Sequence, residues 1–235
     1  MKKLLLILSA GLFIASCTTI SGSGPITSED RQVPAYDRIK VSSSIDVTIR
    51  VGDGYKVVAE DHANLLPHLE TKVKNGELHI GFENGMSIMN SEAHVTVTVP
   101  SLDEVDASGS ADIVIEGVLS NKSQVEFSVS GSGSITGQVN SPEVDISISG
   151  SGKIELAGDT RKMDCQISGS GDFFGKDLRS EDCEVSVSGS GNASVFASRR
   201  LTARVSGSGD VVYAGNPALP EIKTSGSGTV KPESE

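Results

Sequence analysis

Apolar and polar residues alternate with a period of two along most of the chain after residue 100. The pattern is clearest in five segments, each with apolar residues at every second position: Val125-Phe127-Val129, Val144-Ile146-Ile148, Met163-Cys165-Ile167, Cys183-Val185-Val187 and Leu201-Ala203-Val205. Such alternation is typical of β-strands with one face buried and one face in water. No segment after residue 16 shows the 3.6-residue period of an amphipathic helix over three turns. The pattern therefore predicts an all-β protein.

A Ser-Gly-Ser-Gly tetrad, with one Ala variant, follows these strands at intervals of 18 to 22 residues. The seven copies begin at these residues: Ser108, Ser130, Ser149, Ser168, Ser188, Ser206 and Ser225. A polar and then an apolar residue follow each tetrad, as in Asp112-Ile113, so a second short strand begins there. A unit of about 19 residues is too short to bury its own apolar face, and stacking repeated units creates a shared core. The repeats predict a parallel β-solenoid, right-handed by the chirality of parallel crossovers.

The glycines of the tetrads are predicted to form structural turns. At a corner of the coil the backbone visits positive φ, which glycine adopts without the steric cost that a Cβ imposes. The serines can bond to neighbouring backbone or to the serine of the next coil. We assign this turn-forming role, and no ligand, to the following residues: Gly131, Gly133, Gly150, Gly152, Gly169, Gly171, Gly189, Gly191, Gly207, Gly209, Gly226 and Gly228.

Residues 35–100 alternate less regularly than the repeats at residues 101–230. We expect irregular first coils or a β-cap there, which covers one end of a single solenoid domain over residues 35–230. Gly52-Asp53-Gly54 and Asn75-Gly76 are hairpin-type turn signals. Residues 63–69 are compatible with one helical turn, and residues 231–235 are expected to be a tail.

The N-terminus has the features of an export signal. Lys2 and Lys3 precede an apolar run that ends near Ala15, too short to reach the roughly 20 residues of a transmembrane helix. Ile14-Ala15-Ser16-Cys17 resembles the lipobox of bacterial lipoproteins, in which the cysteine becomes the acylated N-terminus. We predict a signal peptide over residues 1–16, lipidation of Cys17, and a flexible Ser-, Gly- and Pro-rich tether over residues 17–34. The alternative is an ordinary secretory peptide cut near Ser16.

Charge and cysteine content narrow the possible partners. Removal of residues 1–16 leaves 18 basic and 31 acidic residues, a balance that repels phosphate backbones, so no nucleic-acid partner is expected. Of the three cysteines, Cys17 is assigned to the lipid. Cys165 and Cys183 fall in adjacent coils but two residues out of register, so their Cα atoms are expected about 7 to 8 Å apart, beyond disulfide reach. Both are predicted to be free, buried thiols.

No cofactor and no metal ion is expected. Only Asp112, Asp172 and Asp210 follow a tetrad directly, whereas a calcium-binding β-roll needs an aspartate in each repeat. Among the four histidines, His79 and His94 are the pair that could face each other on neighbouring strands. Many parallel β-helices are polysaccharide lyases or hydrolases, whose sites combine carboxylates with aromatic platforms. The chain has no Trp, three Tyr and six Phe, so we predict a non-enzyme, with a polysaccharide-active enzyme as the alternative.

The order of these features resembles the family of putative auto-transporter adhesins with a head GIN domain, which is widespread in the Bacteroidetes. The resemblance covers residues 36–229 and rests on the lipobox, the tetrads and two N-terminal segments: Ser44-Ile45-Asp46-Val47-Thr48-Ile49 and Lys74-Asn75-Gly76-Glu77-Leu78-His79-Ile80. It implies a β-helical fold on an envelope lipoprotein and carries no catalytic residues. We therefore expect a structural or adhesive protein that is anchored by lipid to the cell envelope, and the favoured location is the outer membrane. Its partner is a protein or a glycan, and open strand edges could also pair chains into a homo-oligomer.

Overall fold

The computed structural model describes residues 18–218 and 220–233, and most of them lie in β-strands. The N-terminal part contains nine strands and, between the fifth and sixth, a short 3₁₀ helix at Leu66–His68: β1 (Thr18–Ser21), β2 (Ile26–Arg31), β3 (Arg38–Val41), β4 (Asp46–Val51), β5 (Lys56–His62), β6 (Leu69–Lys74), β7 (Glu77–Phe82), β8 (Met86–Met89) and β9 (His94–Val99). The repeats contain twelve: β10 (Glu104–Gly109), β11 (Asp112–Ser120), β12 (Gln124–Gly131), β13 (Ser134–Gly150), β14 (Lys153–Gly169), β15 (Asp172–Gly175), β16 (Leu178–Gly189), β17 (Asn192–Phe196), β18 (Arg200–Gly207), β19 (Val211–Ala214), β20 (Glu221–Gly226) and β21 (Val230–Pro232). Within the described residues no helix is long and apolar enough to cross a membrane.

The repeats stack in parallel, so the predicted parallel β-solenoid is confirmed. Strands that precede a tetrad form ladder A, which consists of the following segments: β10, β12, residues 143–150, residues 162–169, residues 182–189, β18 and β20. Strands that follow a tetrad form ladder B: the first parts of β11, β13 and β14, then β15, β17, β19 and β21. In the middle coils a short ladder C closes the third side: residues 118–120, 138–141, 157–160 and 178–180. The right-handed winding stays a prediction.

The core consists of inward-facing side chains that stack in register from coil to coil. One such row in ladder A contains only buried residues: Val105, Phe127, Ile146, Cys165, Val185 and Ala203. Full burial of an aliphatic or Phe side chain contributes about 1.5 to 3 kcal/mol. Because each row is shared between coils, the stabilisation belongs to the stack and not to any single repeat.

Residues 35–100 form the predicted cap, but its coils do not follow one another in chain order. β3 pairs in parallel with both β7 and β10, and β4 pairs in parallel with both β9 and β11. The coil of β3 and β4 therefore lies between the repeats and the coil of β7 and β9, although β7 and β9 come later in the chain. β5 and β6 run antiparallel to β9 and β7, and β2 runs antiparallel to β5. These antiparallel strands cover the parallel edges that would otherwise be open.

The turn predictions for the cap had mixed outcomes. Asn75 and Gly76, with φ of 53° and 80°, connect the hairpin of β6 and β7, as predicted. The predicted hairpin at Gly52–Gly54 is wrong, because β4 and β5 each pair with β9, which lies between them. The predicted helical turn is confirmed by the 3₁₀ helix Leu66–His68.

Residues 18–34 do not form the predicted flexible tether. β1 pairs in parallel with β8, and β2 pairs over its full length with β5, so two folded strands occupy this range. Small polar residues are compatible with exposed edge strands as well as with linkers, and the partner strands lie about 30 to 70 residues away in sequence, as with Thr18 and Met86. Composition alone therefore could not distinguish the two states.

The C-terminal coil is the open end of the described solenoid. β20 is exposed along its whole length, and Ile222 at its inward position is 40 % exposed because no further described coil covers it. The predicted tail begins inside β21, which extends to Pro232, and the Lys176 ammonium bonds to Glu233 at 2.6 Å. Pairing between chains through this edge stays a prediction.

Candidate binding groove

Both glycines of each tetrad lie against the backbone of the preceding coil, and only the first of them also has positive φ. The first glycine has positive φ, as predicted, for example 120° at Gly169. The second does not, so the prediction of positive φ is wrong there, and its reason is close approach between coils. A Cβ on Gly191 would lie 2.1 Å from the carbonyl oxygen of Gly171. The tetrads are thus corners where successive backbones touch.

The aspartates that follow three tetrads are engaged in bonding between coils. Asp112, Asp172 and Asp210 each accept hydrogen bonds from a residue of the next coil. For Asp210 the donors are the Thr229 hydroxyl and amide, at 2.7 and 2.9 Å, and these bonds hold the pKa of Asp210 below its ordinary value. Within the described ranges no three His, Cys, Asp or Glu side chains come together as a group that could hold a metal ion.

His79 and His94 do not face each other on neighbouring strands, so that expectation is wrong. β7 extends ladder A and β9 extends ladder B, because the chain turns a corner between them. His79 Nε2 lies 2.6 Å from Glu77 Oε1, and His94 Nε2 lies 3.3 Å from the Thr48 hydroxyl.

Cys165 and Cys183 are free and buried, as predicted. Cys183 pairs in register with Met163, and Cys165 with Val185, which is the expected offset of two residues. Burial raises the pKa of both thiols, so neither is a reactive thiolate at neutral pH.

Five carboxylates form an unbroken row along the outer face of ladder A, in register from coil to coil: Glu104, Glu126, Asp145, Asp164 and Glu184. Burial raises the pKa of Asp145, and the neighbouring Glu143 and Asp164 raise it further. Asp145 Oδ2 accepts a hydrogen bond from Gln124 at 2.6 Å, whereas its Oδ1 is buried without a partner among the described atoms. Like charges on directly paired residues destabilise a sheet.

The acidic row can be compared with a polysaccharide-cleaving site. A carboxyl of raised pKa beside an ionised one is the pairing used in glycoside hydrolysis. The concavity above Glu126, Asp145 and Asp164 measures only about 270 Å³. The other residues of its described lining are Ile146, Ser147 and Gln166, and none of the six is aromatic. The described lining therefore supplies carboxylates and other polar groups without an aromatic ring.

Replacing Asp145 by Asn is expected to stabilise the protein in a pH-dependent way. A raised pKa means that the folded state binds the proton more tightly than the unfolded state, so stability falls as pH rises from the unfolded to the folded pKa. Asp145→Asn should raise the free energy of unfolding by about 0.5 kcal/mol near pH 7, after solvent screening, and leave it unchanged near pH 3. Urea denaturation at both pH values measures this, with exposed Asp53→Asn as control. An equal gain at both pH values would contradict the electrostatic cause.

A groove of about 530 Å³ lies where ladder B meets ladder C. Phe174 and Val114 border it and are 45 % and 48 % exposed, although their apolar chain neighbours Ile113, Ile115 and Phe173 are buried. Gly137 and Ala157 line its base. A Cβ at Gly137 would come within 2.6 Å of the Ile115 side chain, so the glycine keeps the coil close packed and the groove open.

Polar side chains of both charges surround the exposed ring of Phe174. Glu155 is its register neighbour in the preceding coil, and Lys153 Nζ lies 5.5 Å from the ring centroid and 3.2 Å from Glu155 Oε2. The cation holds one side of the ring by a cation–π contact of about 0.5 to 1 kcal/mol. Gln138, Lys176 and Asp177 are among the other polar residues that line the groove.

A second groove, of about 540 Å³, lies at the corner between ladders C and A. The corner is built by the buried hydroxyls of Ser141, Thr160 and Ser180, and the first two bond to a carbonyl two residues further on. Arg161 and Arg179 line this groove, and neither has an ion-pair partner among the described residues. Sequence reasoning missed this hydroxyl corner, whose signal is a Ser or Thr two residues before the ladder A segments that begin at residues 143, 162, 182 and 200.

The groove at Phe174 was also missed by sequence reasoning, although it left a signal. Ile113-Val114-Ile115 and Phe173-Phe174 both place an apolar residue at an outward position of an alternating strand. Such a break in alternation marks exposed apolar surface, which is common at binding sites. The predicted lipidation site, Cys17, lies outside the described residues.

The fold and its corners define a capped parallel β-solenoid protein with surface grooves. The chain belongs to the family described as "Putative auto-transporter adhesin, head GIN domain", whose model matches residues 35–217. This family indicates a cell-envelope or surface protein with an adhesive or binding role.

Solved structures with this fold come from Bacteroides and Parabacteroides species. A putative adhesin from Bacteroides fragilis superposes with a TM-score of 0.87 at 21 % identity, covering 91 % of this chain and 100 % of its own. A putative lipid binding protein and a putative adhesin from Parabacteroides distasonis give TM-scores of 0.77 and 0.76 at 23 % and 24 % identity, each covering 92 % of this chain and 100 % of its own. At these identities the likeness shows the fold. No curated protein matches the chain.

Proposed function

We propose that this protein is a non-catalytic, adhesive lipoprotein of the cell envelope and that it binds a glycan in the groove at Phe174. The observation that carries the proposal is an exposed aromatic ring over a small-residue base, with polar side chains of both charges around it. The groove measures about 530 Å³, which is within the usual volume range of ligand sites. Family membership supports the adhesive role.

A saccharide fits this groove better than an extended peptide does. Sugar rings have apolar C–H faces that stack on an aromatic ring, and hydroxyls that bond to carboxylates and amides such as Glu155 and Gln138. A peptide strand gains most by adding to an open sheet edge. At the groove both edges of β14 and β15 are already paired with neighbouring coils, so no backbone edge is available.

The envelope location rests on the lipobox at Cys17 and on family membership. Several acyl chains on one cysteine anchor a protein firmly, because each buried CH₂ contributes about 0.8 kcal/mol. The acidic surface is compatible with a soluble domain outside the cytoplasm. The absence of an aromatic platform over the acidic row on ladder A supports a non-catalytic role.

Binding of residues 18–235 to a panel of immobilised polysaccharides tests the groove. The wild-type domain is expected to be retained on at least one polysaccharide, and Phe174→Ser to weaken retention by about tenfold, since loss of an aromatic contact costs over 1 kcal/mol. Ile222→Ser, which removes an equally exposed apolar residue from ladder A, is the matched control and should bind normally. Retention unaffected by Phe174→Ser, or release of new reducing ends from the polysaccharide, would contradict the proposal.

A further inference from the structure

β1 and β8 form a two-stranded sheet that is separate from the solenoid ladders. We name this pair, together with the adjoining residues 22–25 and 84–85, the N-terminal ribbon. Thr18, its first described residue, directly follows Cys17 in the sequence. If Cys17 is acylated, no spare residue separates the lipid from folded structure.

The N-terminal ribbon is fixed to the cap by several hydrogen bonds. Asn64 donates to the Ser21 carbonyl at 2.9 Å while accepting from the Ser23 amide at 2.8 Å, and the Ala63 amide donates to the Pro25 carbonyl at 3.0 Å. A Cβ on Gly22 would lie 2.2 Å from the Asn90 carbonyl oxygen, so the chain approaches the cap as closely as glycine allows. Motion of the ribbon relative to the solenoid is therefore restricted.

The surface of the ribbon differs in chemistry from the rest of the protein. The chain contains 31 acidic residues, yet residues 18–28 and 84–91 contain no charged side chain. Met89 is 55 % exposed, Ile26 next to the ribbon is 46 % exposed, and Ile20, Met86 and Ile88 are half-buried. An uncharged surface with protruding apolar side chains can enter the headgroup region of a bilayer, from which carboxylates are repelled.

We infer that the N-terminal ribbon is a membrane-contacting foot, which seats the cap of the solenoid directly on the lipid surface; this rests on the proposed lipidation of Cys17. The coil of β20 and β21 is then the far end. Eight coil steps separate it from the coil of β7 and β9, or about 40 Å at the usual strand spacing. The groove at Phe174 faces solvent between these two ends.

Fluorescence quenching on vesicles tests the foot. The lipidated full-length protein is prepared as Met89→Cys and, as control, as Ser225→Cys on exposed β20, and each is labelled with an environment-sensitive fluorophore. Cys165 and Cys183 are buried and will not compete for the label. On phosphatidylcholine vesicles that contain nitroxide-headgroup lipid, the probe at position 89 should lose its fluorescence and the probe at position 225 should keep it.

A third variant combines labelled Met89→Cys with a Gly/Ser insert of about ten residues between Cys17 and Thr18. The insert spans about 17 Å and lets the domain leave the surface. This variant should still float with vesicles but lose the quenching at position 89. Flotation of the first variant without quenching at position 89 would overturn the foot and leave the anchor intact. Failure to float would overturn the anchor and the foot together. A last outcome is that, in the absence of vesicles, the probe at position 89 becomes shielded from water as the protein concentration rises. That result would place a second copy of the chain on this surface and overturn the inference.

Discussion

Replacing Gly191 by Ala is expected to destabilise the protein by about 3 kcal/mol or more, because the new Cβ has no space between two coils. It would lie 2.1 Å from the Gly171 carbonyl oxygen and 2.8 Å from the Ile167 side chain. The first atom belongs to the backbone of the preceding coil, where the adjacent Asp172 amide donates to the Gly152 carbonyl at 3.0 Å. Relief requires the two coils to separate, and this disrupts the core rows on both sides of the corner.

The matched control for this prediction is Gly52→Ala. Gly52 does not have positive φ, and a Cβ there would meet only a Thr98 methyl group at an ordinary 3.4 Å. Its free energy of unfolding should change by less than about 1 kcal/mol, the usual range for a surface glycine. Equilibrium denaturation followed by circular dichroism compares the two variants with wild type. Equal stability of Gly191→Ala and Gly52→Ala would show that the coils are not in contact at the tetrads.

Replacing Cys17 by Ser is expected to release the protein from membranes completely. Serine cannot carry the thioether-linked lipid, and the described residues contain no helix that could hold the chain in a bilayer instead. Cells that express Cys17→Ser should contain it in soluble fractions or in the medium, whereas wild type should sediment with membranes. Mass spectrometry of the wild-type N-terminal peptide should show an acylated residue 17.

The control for this prediction is Ser16→Thr, which leaves Cys17 in place and should remain with membranes. Membrane retention of Cys17→Ser would contradict the lipid anchor. Release of both variants would show that Ser16→Thr also prevents acylation of Cys17.

The solenoid was predictable because its signal is repeated. Each strand of ladder A contributes the same alternation, and each tetrad places its glycines at the same corner, so an error in one repeat is corrected by the others. The offset between Cys165 and Cys183 followed directly from this register and is confirmed. The reason for the second glycine of each tetrad was not predictable, since contact between coils depends on a backbone separation that the sequence does not state.

The cap was less predictable because its partners are distant and occur once. β4 appeared to be followed by a hairpin, but β9 inserts between β4 and β5 from about 40 residues downstream. β1 looked like part of a linker because it adjoins a Ser-, Gly- and Pro-rich stretch, and its partner β8 lies about 70 residues downstream. Ser42–Ser44 form a corner between β3 and β4 like the corner at a tetrad, but without glycine, and Ser43 has a φ of 75°. Local pattern cannot find pairings of this kind.

Attachment of intact cells is the most direct test of the central claim, that this envelope protein binds glycan through the groove at Phe174. Cells lacking the protein, cells with wild type restored and cells with Phe174→Ser restored are compared on a polysaccharide that retains the purified domain. Protease treatment of intact cells first establishes equal display of the two restored proteins. Our account predicts that wild type restores attachment and that Phe174→Ser, equally displayed, does not. Full attachment by cells with Phe174→Ser, or protection of both proteins from protease, would contradict it.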